Sequence, residues 1–338
     1  MSSIKPKAQK ADFPSLLERY FCEYLLKQRN ASPETISSYR DTFRLFLRFS
    51  EQRFRKAPAS LTLADLDAPQ VLAFLDSLES QRRNSVRSRN ARLAAIRSFV
   101  RYAASHDPTA LASISRTLAI PVKRFDRAPV SYLSREEVNA LLNAPDHSTW
   151  SGHRDAVLLA TMYNTGARVS EILNLNIEDL QFGPTTTLRI HGKGRKERVI
   201  PLWKSTKRQL RDWLPRICTA SGYPLFPSRR GERLTRAGVR SRIDAALAVA
   251  SQTYPGLRGR RVSPHLVRHS TAMHLLQSGV DITVIALWLG HESTATTHMY
   301  VEADLTMKTR AIEKITMPVK KRRKFEPSDP LLAFLETL

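Results

Sequence analysis

The sequence predicts a mainly helical chain of the α+β class, with two domains and one small antiparallel sheet. Its 338 residues suit about two domains of ordinary size. Apolar residues recur at helical spacing along most of the chain, and two strand-like runs, 186–190 and 199–202, flank a segment that contains glycines. A hydrophobic content of 42% is enough to bury a sizeable core, which excludes a chain that is disordered throughout.

The charge of the chain favours a polyanionic partner. Its formal net charge is +23, which promotes association with nucleic acid; a basic ribosome- or membrane-associated protein is the alternative. Cys22 and Cys218 lie far apart, so the sequence predicts neither a disulfide framework nor a Cys-rich zinc site, and a reducing cytoplasm fits. We find no signal peptide and no apolar run as long as a membrane span.

The first predicted domain spans residues 1–112, and local signals place its first three helices. Apolar residues at helical spacing over 13–25 predict the first helix. Ser32 suits an N-cap, and Pro33 suits the first position of the second helix. A third helix is expected over 69–78.

The fourth helix, 81–105, is predicted to combine a core face with a positive stripe. It contains seven Arg and no acidic residue, and its apolar face includes Leu93, Ile96 and Val100. A different face is predicted to contact the backbone of DNA, because each Arg there would neutralise one phosphate; a merely solvated face is the alternative. The DNA-binding candidates on this stripe are Arg83, Arg87, Asn90, Arg97 and Arg101.

A basic linker is predicted over residues 113–130. Within it Pro121 and Pro129 flank Lys123 and Arg124, while the helical pattern weakens. Lys123 and Arg124 are therefore further candidates for contact with phosphate.

The second predicted domain spans residues 131–317. Ser134 begins a capping box, with Glu three residues later, ahead of an apolar run. A basic helix over 235–250 includes Arg236 and Arg240, which are also predicted to face phosphate. Residues 318–338 add a basic tail and a short amphipathic helix.

The stretch from 264 to 300 carries the chemistry. His265 and Arg268 are three residues apart, which puts them on one face of a helix. A second helix ends at a glycine that precedes His291, and Tyr300 follows nine residues later. Arg grips phosphate with two hydrogen bonds, Tyr is an oxygen nucleophile, and His transfers protons near neutral pH. These groups suit chemistry on a phosphodiester.

Two upstream segments complete this group of residues. Arg168 follows a glycine at the start of a predicted helix, with Glu171 one turn later. Lys193 lies near the tip of the hairpin between the two strand-like runs, and Lys196 is a competing candidate for the same role.

Together these motifs resemble the tyrosine recombinases, the phage-integrase family. The resemblance rests on Arg168 in GARVSE, Lys193 in HGKGRKERVIPL, the HLVRH and LGH motifs, and the spacing to Tyr300, and it covers roughly residues 16–315. It implies the fold of the DNA breaking-rejoining enzymes, with a helical core-type DNA-binding domain and a mostly helical catalytic domain that clamp duplex DNA. Four protomers would act on two DNA sites, with accessory or partner recombinases, and exchange strands through a Holliday junction.

The resemblance also implies a role for each residue of the group. Arg168 and Arg268 would match the charge on the two non-bridging oxygens of the phosphate. His291 would hydrogen-bond the scissile phosphate, and Glu171 would orient Arg168 or His265.

The nucleophile implied by the resemblance is Tyr300. It would attack the phosphate with the assistance of His265 and remain joined to it through a 3′ linkage. Lys193 would protonate the departing 5′ oxygen. Because the energy of the bond is conserved, no metal, nucleotide or other cofactor is implied. The segment 318–338 would dock on a neighbouring subunit, or on its own domain.

Other functions compete with this one. A type IB topoisomerase shares this kind of site, and a DNA-binding regulator could retain the fold without activity. His265 and His269, four apart, could bind zinc, but HLVRH lacks the Glu of the HExxH metalloprotease motif. His269, His274 and His298 are otherwise assigned to structure or surface. The residues after Tyr300 resemble those of recombinases carried on transposable elements.

Overall fold

In a computed structural model, the chain folds into two units, Met1–Arg127 and Ala128–Leu338. Across the helices that are described, none is both long and apolar enough to cross a bilayer. The residues described by the structure are 12–125, 130–192, 196–218, 220–291 and 297–300.

Local caps determine where the helices of the first unit begin. Ser32 caps α2 by accepting a hydrogen bond from the Thr35 N–H, and Pro33 occupies the first helical position, which confirms the prediction. The helices are α1 (Phe13–Arg19), which continues as a π-helical stretch (Tyr20–Gln28), α2 (Pro33–Phe54), α3 (Ala68–Ser80), α4 (Val86–Ala104) and α5 (Leu111–Ala119).

Aromatic side chains form the centre of the first core. The rings of Phe43 and Phe99 meet edge to face with centroids 5.2 Å apart, and Tyr20 contacts Phe99 in the same manner at 5.3 Å. The Tyr20 hydroxyl donates to Ser98 Oγ, so its polar end is satisfied inside the core. This core holds α1, α2 and α4 together.

The positive stripe of α4 is partly internal, which differs from the prediction. Arg97, which belongs to the predicted stripe, donates to the carbonyls of Leu118 and Ile120. Arg89 lies outside the predicted stripe, is only 2% exposed, and donates to the Pro121 carbonyl. The last carbonyls of a helix have no partner within that helix. These arginines therefore bind the end of α5 and the residues after it.

Helix α5 occupies the first part of the predicted linker, 113–130. It packs on α3 and α4 within the first unit. Its buried side includes Ile114 and Thr117, and the Thr117 hydroxyl donates to the Leu66 carbonyl. Leu111, Ile114 and Leu118 do follow helical spacing, but the prolines and basic residues after them indicated a linker.

The second unit surrounds a three-stranded antiparallel sheet with helices. Ser134 and Glu137 form the predicted capping box at the start of α6. Its elements are α6 (Arg135–Leu142), α7 (Trp150–Thr165), α8 (Val169–Leu173), β1 (Leu180–Gln181), β2 (Thr187–His191), β3 (Glu197–Pro201), α9 (Lys204–Trp213), α10 (Arg236–Thr253), α11 (Pro264–Gln277) and α12 (Ile282–Leu289).

Strands β2 and β3 are those expected from the sequence, within one or two residues at each end. The strand order is β1-β2-β3, and Leu188 pairs with Ile200 on the buried face. His191 and Glu197 are the last described pair before the turn. The turn residues 193–195 lie outside the described part of the chain.

Two glycines bring the ends of α7 and α12 together. Gly166 ends α7 with φ of 57°, and Gly290 ends α12 with φ of 66°, the left-handed conformation that the sequence predicts at the second position. A Cβ on Gly166 would lie 2.6 Å from Leu289 Cδ2, so a side chain there would displace Leu289, and the positive φ also favours glycine. The two helix ends meet beside α11.

Candidate active site

Arg268 lies where the ends of α7 and α12 meet. Its Nη1 donates to the Gly166 carbonyl at 2.7 Å, and its Nη2 donates to the Leu289 carbonyl at 2.8 Å. Carbonyls at helix C-termini carry partial negative charge, so a cation is favoured there. Burial, followed by the charge of Arg168, lowers the pKa of Arg268 to about 10, and the guanidinium stays charged at neutral pH although it is only 4% exposed.

Arg168 is the N-cap of α8, as expected from the sequence. Its backbone N–H donates to Glu171 Oε2, and its Nη1 donates to Glu171 Oε1 at 2.9 Å. Its Nη2 lies 3.3 Å from the Gly290 carbonyl, at the end of α12. Arg168 and Arg268 are therefore held at the same helix junction, as the sequence predicts for a phosphate site.

A third arginine, Arg198 on β3, completes the cationic group. Its Nη2 donates to Glu171 Oε2 at 2.6 Å, and its Nε donates to the Trp288 carbonyl at 2.9 Å. Burial acts to raise the pKa of Glu171, but hydrogen bonds from Arg198 and Arg168 outweigh it and hold that pKa below its usual value. Two guanidinium groups, those of Arg168 and Arg198, thus bind one ionised carboxylate.

Sequence reasoning missed Arg198, although one signal was present. Side chains alternate along a strand, so Arg198 shares its face with the buried Ile200. An arginine on the buried face of a strand needs a partner, and this pattern could have marked it.

His291 follows the glycine that ends α12, as predicted. Its Nδ1 lies 2.8 Å from the Thr297 hydroxyl. Burial, with the charges of Arg268 and Arg168, lowers the pKa of His291 to about 4, so the imidazole is neutral at pH 7. When Thr297 donates to Nδ1, the proton on Nε2 is available to an anion.

Tyr300 is buried against the helices of the site. Only 1% of it is exposed, and it packs with Met273, Ile285 and Leu289. Its ring lies parallel to that of His291, with an interplanar angle of 9° and centroids 6.4 Å apart. Burial raises the pKa of Tyr300, and the charges of Arg268 and Arg168 oppose that rise.

The imidazole in contact with Tyr300 is His269, which the sequence assigned to structure or surface. Its Nδ1 lies 2.8 Å from Tyr300 Oη. His265, the partner implied by the resemblance, lies one turn earlier on α11, and much of its side chain is exposed. The part of its ring that is desolvated, together with the charges of Arg268 and Arg168, lowers its pKa. Both histidines line a cavity of about 460 Å³ that also includes Met299. His274 is structural, because it is buried and bonded to Tyr163.

Lys193 lies outside the described residues, but the base of its hairpin is at the site. The Gly192 N–H donates to the Lys196 carbonyl across the hairpin. A Cβ on Gly192 would lie 3.7 Å from Glu171 Oε1 and 3.8 Å from Arg198 Nη1. The strands thus bring the segment that carries Lys193 to the edge of the cationic group.

The predicted DNA-binding residues of the first unit have different environments. Arg83, Arg87, Arg101 and Arg124 are exposed. Asn90 and Arg97 are instead engaged internally: Asn90 Nδ2 donates to the Lys123 carbonyl, and the Lys123 N–H donates to Asn90 Oδ1. The Lys123 side chain pairs with Glu79.

In the second unit, Arg236 is exposed at the start of α10. Arg240 forms an ion pair with Asp244 at 2.8 Å. Within the described ranges of the chain, no cluster of three or more His, Cys, Asp or Glu residues could hold a metal ion.

The sequence matches two family patterns. Residues 131–307 match the phage integrase family, and residues 18–107 match the phage integrase N-terminal SAM-like domain. The chain belongs to the phage integrase family. As in the other tyrosine recombinases, the activity of this integrase is the breaking and rejoining of DNA strands.

Relatives cover the integrase over almost its whole length. The Sinorhizobium fredii protein y4rC, which carries the provisional description integrase/recombinase, is 52% identical over 97% of this chain and 99% of its own. The tyrosine recombinase XerC of Pelobacter propionicus is 34% identical over 92% of this chain and 97% of its own.

Solved structures confirm the fold class. The XerH site-specific recombinase in a post-cleavage complex with palindromic difH has a TM-score of 0.67 at 23% identity, covering 86% of this chain and 82% of that one. The Tn1549 transposon integrase with circular intermediate DNA has a TM-score of 0.67 at 13% identity, covering 88% and 98%. The integrase therefore has the tyrosine recombinase fold, mainly helical with one small antiparallel sheet.

Proposed function

We propose that the integrase is a site-specific recombinase in which Tyr300 cleaves DNA while Arg168, Arg268 and His291 bind the scissile phosphate. The observation that carries this proposal is the junction of α7 and α12, where Arg268 donates to the Gly166 and Leu289 carbonyls and Arg168 donates to the neighbouring Gly290 carbonyl. The Tyr300 ring lies parallel to that of His291 at the same junction. Glu171 and Arg198 fix the orientation of Arg168.

The electrostatics of the site suit a phosphoryl group that gains negative charge. Attack on a phosphodiester concentrates charge on its two non-bridging oxygens, and donors that are already fixed stabilise that charge without reorganisation. Arg268 is held by two hydrogen bonds before any ligand arrives. His265 lies close enough to both guanidinium groups for them to lower its pKa, so it also stands near the phosphate as a neutral group.

The proposed reaction conserves the energy of the phosphodiester bond in a phosphotyrosine linkage. Tyr300 Oη forms a bond to phosphorus, and the bond from phosphorus to the 5′ oxygen breaks. The 5′ oxygen takes a proton, which we assign to Lys193. In the rejoining step a 5′ hydroxyl attacks the phosphotyrosine and releases Tyr300. The buried Tyr300 hydroxyl has to become accessible to the phosphate for this to occur.

Contacts with DNA backbone are assigned to the exposed basic residues. In the first unit, Met1–Arg127, these are Arg83, Arg87, Arg101 and Arg124. Arg236 is the candidate in the second unit, Ala128–Leu338, within which we propose that residues 131–317 are the catalytic domain. We further propose that the integrase acts in the cytoplasm as a tetramer on two DNA sites, with strand exchange through a Holliday junction and with accessory or partner recombinases.

Covalent capture tests the proposal. Purified protein would be mixed in EDTA with sheared genomic DNA of the organism that encodes it, denatured in detergent, and the protein-bound DNA sequenced. We expect adducts at one recurring sequence, and no adducts from Tyr300→Phe. Tyr163→Phe is the matched control, since Tyr163 is also buried and bonded to a histidine but lies outside the proposed chemistry.

Each outcome of the capture has a distinct meaning. Adducts that persist in Tyr300→Phe would refute Tyr300 as the nucleophile. Capture spread evenly over all sequences would instead indicate a type IB topoisomerase. Strong DNA binding without adducts would indicate a regulator. Adducts that form in a parallel reaction without EDTA, but not in its presence, would indicate a metal-dependent enzyme.

A further inference from the structure

Among the described residues, His269 lies within hydrogen-bond distance of the proposed attacking atom, Tyr300 Oη. Its Nδ1 lies 2.8 Å from Tyr300 Oη, a hydrogen-bond distance, and the two rings are 5.6 Å apart. His269 belongs to α11, the helix that also positions Arg268. The structure therefore places a candidate base, His269, next to the proposed nucleophile, Tyr300, and beside Arg268, the arginine proposed to bind the phosphate.

The buried phenol of Tyr300 cannot readily lose its proton to water. Its pKa, about 10 in solution, is raised by burial. A proton acceptor that stays in contact with the hydroxyl removes this difficulty, because the proton can move within the hydrogen bond as the hydroxyl turns toward the phosphate and attacks.

The state of His269 suits that acceptor. Burial, followed by the charges of His265 and Arg268, lowers its pKa below the ordinary value, so the ring is neutral at pH 7. A neutral imidazole with its proton on Nε2 accepts at Nδ1. The ring also borders the cavity of about 460 Å³.

We infer that His269 accepts the proton of Tyr300 in the cleavage step and returns it in the rejoining step. During cleavage the O–H bond of Tyr300 breaks and an N–H bond forms at His269 Nδ1, which gives an imidazolium. When the 5′ hydroxyl displaces the phosphotyrosine, that proton returns to the phenolate oxygen. This inference rests on the proposed function, and it assigns to His269 the role that the family resemblance gives to His265.

A first test uses the free protein and needs no DNA. In protein labelled with ¹⁵N-histidine, loss of one signal in His269→Asn identifies the His269 ring. We expect an unprotonated Nδ1 and a protonated Nε2 at pH 7, and a shift of Nδ1 in Tyr300→Phe. A protonated Nδ1 would refute the inference, because that nitrogen would then donate to Tyr300.

A second test measures the rate of adduct formation in a single turnover on a nicked duplex of the captured sequence. Asn can place its amide oxygen near the position of Nδ1, so His269→Asn keeps a hydrogen-bond acceptor and removes the base. General base catalysis contributes about 10²- to 10⁴-fold, so we expect a loss of at least about 100-fold with unchanged DNA binding. The matched control is His274→Asn, which breaks another buried His–Tyr hydrogen bond, 2.6 Å to Tyr163. After correction for the folded fraction, His274→Asn should retain the wild-type rate.

A sulfur leaving group separates the two proton transfers. In a substrate with a 5′-bridging phosphorothiolate, the 5′ sulfur leaves as a thiolate. The pKa of its conjugate acid is about 8.5, so this leaving group needs no proton. We expect this substrate to restore the rate of Lys193→Met but not of His269→Asn. Restoration of His269→Asn, or a wild-type rate for it on ordinary DNA, would refute the inference alone. Wild-type protein that binds DNA without forming adducts would refute the proposed function, and the inference with it.

Discussion

Replacing Arg198 by Met should destabilise the second unit more than replacing any surface arginine. Arg198 is 12% exposed and its partner Glu171 is 4% exposed, so the substitution leaves a buried carboxylate with one fewer cation. Breaking a buried ion pair costs about 3–5 kcal/mol. Because Arg168 still pairs with Glu171 at 2.9 Å, we expect the lower end of that range, about 3 kcal/mol.

Tryptophan fluorescence can follow the second unit by itself. The four tryptophans of the chain all lie in it: Trp150, Trp203, Trp213 and Trp288. For a unit of this size, a loss of about 3 kcal/mol lowers the Tm by roughly 6–12 °C. The matched control is Arg240→Met, which breaks an exposed ion pair with Asp244 and should change stability by at most about 1 kcal/mol.

The difference between wild type and Arg198→Met should also depend on pH. In the wild type the folded-state pKa of Glu171 lies below its ordinary value of 4.5. This carboxylate therefore stabilises the fold above pH 4.5 and loses that contribution as pH falls through the folded pKa. In the variant, burial acts with less opposition and raises that pKa. The gap in stability should therefore narrow below about pH 4.5. Equal stability at pH 7, or a gap independent of pH, would refute this account of Glu171.

Four further variants test other parts of the structure. Arg97→Met should destabilise the first unit by about 1–3 kcal/mol in urea followed by circular dichroism, because helix carbonyls lose their donor. Arg87→Met should leave stability unchanged and reduce by about 0.9 the slope of the logarithm of the DNA-binding constant against the logarithm of the salt concentration. Loss of stability in Arg87→Met, with a reduced salt slope in Arg97→Met instead, would contradict both assignments. Gly166→Ala should destabilise the second unit by more than Gly222→Ala. Both glycines have positive φ, but only a Cβ at Gly166 would meet a neighbour, Leu289 Cδ2 at 2.6 Å. Equal losses of stability in the two variants would show that this contact is irrelevant. The pKa of His291, about 4, lies below the ordinary 6.5, so the free energy of unfolding should fall as pH drops from 6.5 to 4. In His291→Asn that fall should be smaller. An unchanged dependence of stability on pH would contradict the low pKa.

Local signals in the sequence predicted the elements of the fold well. The capping box at Ser134, the cap at Ser32 and the glycine end at Gly290 depend on neighbours three or four residues away, and all three are observed. Helix α5 was missed, because the prolines and basic residues that follow it indicated a linker, whereas its place in the first unit depends on packing against the distant helices α3 and α4.

The interactions of the site depend on distant partners, which limits what sequence can predict. Arg198 meets a carboxylate 27 residues away, and His269 meets a hydroxyl 31 residues away. Arg97 belongs to the same class: its spacing is that of a solvated stripe, but α5 covers it. A residue type and its spacing specify which face it occupies, whereas the partner on the other side is determined by the packing of the whole unit.

Arg268 is a candidate for phosphate binding, but its two hydrogen bonds to helix-end carbonyls also hold the ends of α7 and α12 together. A substitution there would disturb the framework together with the charge, so loss of activity in such a variant could not be attributed to chemistry. At Tyr300 the removal of one hydroxyl leaves the packing of the ring in place. An inert integrase for trapping intact DNA complexes is therefore better obtained from Tyr300→Phe than from any exchange of Arg268, and its complexes should retain the geometry of the active protein.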